Sequence, residues 1–164
     1  MSTRRRIPQG DFAFSLFDEM RASPTEPMPA GERQLNVARA REHLGHLTYG
    51  ADPNRQNWKV LAVIGNFFQA MLDQKLIQDP DNLLGAAKAV LLASSNYAAD
   101  HGVMVRLSPP EAAVIENLIS AYDDVLAALP HRDFIRAVRA ADKRMRQRLP
   151  GDYDANPAKR RKKE

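Results

Sequence analysis

Five cations with helical spacing carry the strongest chemical signal in the chain: Arg132, Arg136, Arg139, Lys143 and Arg146 recur at intervals of four and three. That rhythm gathers them on one side of an α-helix, along about 20 Å of its axis, where a row of guanidinium and ammonium groups suits successive phosphates of a nucleic acid. Contacts to phosphate give affinity and salt dependence but do not read base sequence. The run Lys159-Arg160-Arg161-Lys162-Lys163 adds further positive charge after the helix, as an electrostatic tether, a transport signal or a solubilising tail. A solvated, purely structural helix face is the plain alternative for the stripe.

Catalytic and metal chemistry find little to work with. Glu42, His43 and His46 lie close on one predicted helix, but the histidines are three apart and no distal third ligand completes a zinc pattern, so no metal site is expected. Asp100, Asp123 and Asp124 are isolated or turned to different helix faces, and no serine sits in a nucleophile elbow. Gly65 and Gly85 are single residues inside helical patterns rather than parts of a phosphate loop. With no cysteine, the chain has no disulfide, thiolate metal site or cysteine nucleophile. The expectation is a non-enzyme that needs no cofactor.

A second candidate surface lies near the N-terminus. Residues 11–21 read as a short amphipathic helix starting at Asp11, with Phe12, Leu16 and Met20 sharing a face, Phe17 beside them and Phe14 turned away. Phe12, Leu16, Phe17 and Met20 have the character of anchors that fit a groove on a partner protein. Folding back onto the chain's own core is the favoured expectation for them, because exposed phenylalanines promote aggregation. Three prolines between Ala22 and Gly31 then deny helix continuation and predict an extended linker.

The elements that must position these groups are helical. Leu35, Ala38, Leu44 and Leu47 mark a helix over 32–47 with a thin apolar stripe. Trp58, Leu61, Ile64, Phe67, Phe68, Met71 and Leu72 mark a strongly apolar helix over 55–77. Asp79-Pro80 reads as the start of a fourth helix that ends at Gly102, a left-handed stop. Residues 103–107 form the one short β-branched run and are expected to be an extended connector. Ser108-Pro-Pro-Glu111 is a capping box opening a fifth helix through Ile115, Leu118, Ile119, Tyr122 and Leu126 to Leu129. Pro130 ends it, and Phe134, Val138, Ala141, Met145 and Leu149 form the apolar side of the sixth helix, nearly opposite the cations.

This pattern predicts an all-α fold: a single compact bundle of five to six helices, its core built by the third to sixth, between flexible basic termini. The expected divisions are a basic arm, short helix and Pro-rich linker at 1–31, a helical domain at 32–150, and a disordered basic tail at 151–164. The chain has 164 residues and a net charge of +4, unevenly spread: from Arg132 onward 12 Lys/Arg face 5 Asp/Glu, whereas residues 1–131 hold 12 against 15. One basic end points to a polyanion or an acidic protein surface as partner. No apolar stretch is long enough for a signal peptide core or a membrane span, which favours the cytoplasm, and self-association remains open. The leading functional expectation is a nucleic-acid-associated accessory protein of bacterial type. The alternative is an adaptor or inhibitor that docks on a larger protein through the Phe-rich helix or the basic face.

Overall fold

The computed structural model describes residues 14–148, with side chains to residue 146. They form an all-α bundle of six helices: α1 (Leu16–Arg21), α2 (Ala30–Tyr49), α3 (Arg55–Asp73), α4 (Leu83–His101), α5 (Pro109–Ala128) and α6 (His131–Arg148). No strand occurs among the described residues, and none of these helices is long and apolar enough to cross a membrane.

Local chemistry sets most of the helix ends. Asn54 caps α3 by accepting from the Gln56 and Asn57 amides. Ser108 Oγ accepts from the Glu111 amide at 3.3 Å while the Glu111 carboxylate accepts from the Ser108 amide at 3.0 Å, which is the capping box expected for α5. Gly102 ends α4 in the left-handed region at φ 73°, where a side chain would be strained. The start of α4 departs from expectation. Asp79 does not sit at the helix boundary but reaches it across a turn: Asn82 adopts φ 52°, and the Asp79 carboxylate accepts from the Leu83 and Leu84 amides at 2.8 and 2.9 Å. Residues 103–107 are a connector without helix or strand, pinned where the Leu107 amide donates to the Leu47 carbonyl at 2.9 Å.

α3 occupies the middle of the bundle, touching α2, α4, α5 and α6, and α2 lies along α5. The expected apolar face of α3 is buried at Leu61, Ile64, Phe67, Phe68 and Met71, and Trp58 uses its indole N–H to hold the Leu91 carbonyl of α4 at 2.9 Å. α2 enters the core more fully than its composition suggests. Val37, Ala40, Leu44 and Leu47, spaced by three and four, are the buried row, whereas Leu35 is exposed. α4 contributes Leu84, Ala87 and Leu91 to the core. The core thus takes in α2 as well as the expected third to sixth helices, because α2 packs its row against both α3 and α5.

The sharpest departure concerns α1. Its helix begins at Leu16, not Asp11, because Ser15 and Asp18 form a capping box: Ser15 Oγ accepts from the Asp18 amide, and the Asp18 carboxylate accepts from the Ser15 amide at 2.7 Å. Phe14, expected to face away, packs edge-on against Phe134, with ring centroids 6.3 Å apart. Leu16, Phe17 and Met20, favoured for burial, are exposed, and Phe12 lies outside the described residues.

Candidate interaction surface on α1 and α6

α6 joins the bundle through its apolar side, burying Phe134, Ile135, Ala137, Val138 and Ala141. Its first turn has backbone N–H groups with no partner inside the helix. The linker from α1 supplies them: the His131 amide donates to the Glu26 carbonyl at 2.8 Å and the Arg132 amide to the Ser23 carbonyl at 3.0 Å. Buried Ala22 and Met28 fasten this linker to the core. The basic residues at the start of α6 are therefore brought to α1 by backbone pairing as well as by charge.

Arg132, Arg136 and Arg139 each engage α1. Arg132 donates from Nε to the Ala22 carbonyl at 3.1 Å and from Nη2 to the Met20 carbonyl at 3.0 Å, satisfying carbonyls that the end of a helix leaves unpaired. Glu19 is 9% exposed and accepts from two guanidiniums, Arg136 Nε at 3.0 Å on Oε1 and Arg139 Nη1 on Oε2. Arg136 also pairs with Asp133 at 3.4 Å. Farther along, Arg146 is bound to Asp142 at 3.0 Å, while Lys143 is exposed and makes no ion pair among the described residues. The basic run at 159–163 lies outside the described residues.

Burial raises the Glu19 carboxyl's affinity for a proton, but the hydrogen bonds and charges of Arg136 and Arg139 outweigh it and hold its pKa below the ordinary value. A carboxyl with a depressed folded pKa stabilises the native contact above its unfolded pKa of about 4.3, and the contribution disappears as pH falls through the folded value. Asp18, whose pKa is lowered by its hydrogen bonds to Ser15, acts in the same direction. Hydrogen-exchange protection of the α1 amides, corrected for intrinsic rates, is therefore expected to hold from neutral pH to about pH 5.5 and to collapse below about pH 4, ahead of the core helices. Protection that survives to the acid unfolding of the whole bundle would contradict this role for Glu19.

With Glu19 turned to α6, the other side of α1 faces outward. Leu16, Phe17 and Met20 lie within an arc of about 100° on the helix and are 56, 63 and 67% exposed. Arg21 places its guanidinium 5.4 Å from the centre of the Phe17 ring, a cation–π contact that orients the ring. The helix thus seats a carboxylate and displays its apolar side chains, the reverse of the usual amphipathic arrangement.

The histidine cluster of α2 is dispersed by its contacts. His43 Nδ1 lies 2.8 Å from Asn57 Oδ1, His46 lies 3.8 Å from Glu42, and no group of three metal-ligating side chains occurs among the described residues. The residue that sequence reasoning missed is Glu19. Its signal was the Asp18-Glu19 carboxylate pair set among Leu16, Phe17 and Met20 in a chain whose far end carries surplus arginine. Compared with protein-family models, with curated proteins and with solved structures, the chain matches none.

Proposed function

We propose that this protein is a non-catalytic adaptor or inhibitor that docks on a larger protein by inserting Leu16, Phe17 and Met20 of α1 into an apolar groove. The observation that carries this reading is the outward orientation of α1: a helix whose own bundle binds Glu19 and leaves its largest apolar side chains in water. Arg21 borders that ridge through its contact with the Phe17 ring. Three bulky anchors on a short helix are the recognition pattern of helix-in-groove complexes.

A photo-crosslinking phenylalanine analogue at position 17 tests it in cells. The expected product is one discrete adduct with another protein, lost when Met20→Asp is added, and not formed from the same analogue at Tyr49, which is also highly exposed but on α2. No adduct, or the same adducts from both positions, would overturn the reading.

A second reading, nucleic-acid association through Arg132, Arg136, Arg139, Lys143, Arg146 and the 159–163 run, is favoured by the straight row these helix residues make. Fluorescence anisotropy of labelled duplex DNA over a salt series tests it. Affinity should fall steeply with salt, and absence of binding even at low salt would remove it.

A further inference from the structure

We propose that α1 is a detachable acidic strap over an oxyanion site on α6, and that the phosphate backbone of a nucleic acid competes with it for Arg132, Arg136 and Arg139. This inference rests on the nucleic-acid reading and not on the docking ridge. The resident occupant shows the chemistry of the site. Glu19 presents two oxygens to two guanidiniums on adjacent turns, and the carbonyls of Met20 and Ala22 take the third, Arg132. Guanidinium donors that fit a carboxylate in this way fit phosphate oxygens equally well, because both ligands offer paired anionic acceptors.

The strap is built to leave. α1 has six residues, too few to persist as an isolated helix in water, so it is helical only while docked. It is held at its ends by Phe14 against Phe134 and by Ala22 and Met28 in the core, with the Glu19 clamp between. Release is thus an order-to-disorder step of one short segment and leaves α2 to α6 intact. The row of cations also extends beyond the strap. Exposed Lys143 and Arg146 lie one and two turns past Arg139, giving a polyanion a first foothold from which it advances toward Arg132 as α1 yields. A row spanning about 21 Å matches a linear polyanion better than a single small anion.

Competition makes the measured affinity depend on how often α1 is undocked. Glu19→Gln keeps the side chain's shape and removes the competing charge. In full-length protein it should tighten binding of labelled duplex DNA about tenfold at fixed low salt. Asp124→Asn removes the same charge from an exposed position on α5 and should change affinity by less than about twofold. Adding Arg136→Gln and Arg139→Gln to Glu19→Gln should abolish the gain. In the wild-type protein, which needs no substitution to be informative, duplex DNA should lower the exchange protection of the α1 amides while the core keeps its protection.

Wild-type binding that is salt-sensitive but unchanged by Glu19→Gln, or α1 protection that holds or rises with DNA, would overturn the strap and leave the nucleic-acid reading standing. No duplex binding by either protein would overturn both. Binding to phosphatidylserine vesicles in place of DNA would overturn the nucleic-acid assignment of the site and, with it, this proposal.

Discussion

Replacing Phe134 by alanine is expected to lower the unfolding free energy by about 3–5 kcal/mol and the melting temperature by roughly 10 °C. Phe134 is 2% exposed and stands where three segments meet. Phe67 of α3 approaches it edge-on with centroids 6.4 Å apart, Tyr122 of α5 is tilted against it at 6.3 Å, and Phe14 covers it from the N-terminal side at 6.3 Å. Truncation removes a large buried side chain, leaves a cavity that stiff aromatic neighbours fill poorly, and forfeits ring contacts worth about 0.5–1.5 kcal/mol apiece. Phe14 loses its platform in the same step, so α1 amides should lose exchange protection even where the mutant remains folded. Denaturant titration together with hydrogen exchange checks both effects. A loss below about 1 kcal/mol would mean that α6 is not anchored through this ring.

The double substitution Arg136→Gln, Arg139→Gln is expected to act differently, with a large local effect and a small global one. Glu19 would be left nearly buried with neither charged partner, a situation that costs about 3–5 kcal/mol when the surroundings cannot relax. Here they can relax, because α1 undocks and returns the carboxylate to water. The penalty is therefore capped at the free energy that holds α1 in place. Exchange protection of residues 16–21 should fall by roughly tenfold or more, while the midpoint for unfolding of the bundle shifts by less than about 1 kcal/mol in equivalent free energy. A cooperative loss of stability across all helices would show instead that α1 is an integral part of the core.

These expectations show where the sequence speaks and where it is silent. Ser108 and Glu111, Gly102, the apolar face of α3 and both faces of α6 are legible because their determinants lie within one or a few helical turns. The start of α4 is less so, since Asp79 caps Leu83 and Leu84 only after Asn82 has bent the chain into a left-handed turn. α2 is less legible for a related reason: its buried residues Val37 and Ala40 are modest in size, and only the packing of α2 against α3 and α5 makes them core. The orientation of α1 is not legible at all from its own residues. A helix this short satisfies either face, and the choice is made by Glu19 with arginines 117 and 120 positions away. The row of cations was readable as a row, but not that three of its members already hold α1.

The separation between those partners also sets a schedule. The carbonyls of Met20 and Ala22 wait for an arginine 112 and 110 positions later in the chain. At about 5–20 residues per second, a ribosome needs roughly 5–20 s to make up that distance. Throughout that interval Leu16, Phe17 and Met20 belong to an unstructured peptide, since the surface that makes them a helix has not been synthesised. A partner of the kind proposed, present during translation, would meet this segment before the chain's own sixth helix does, so the nascent and the finished protein would offer it two different ligands.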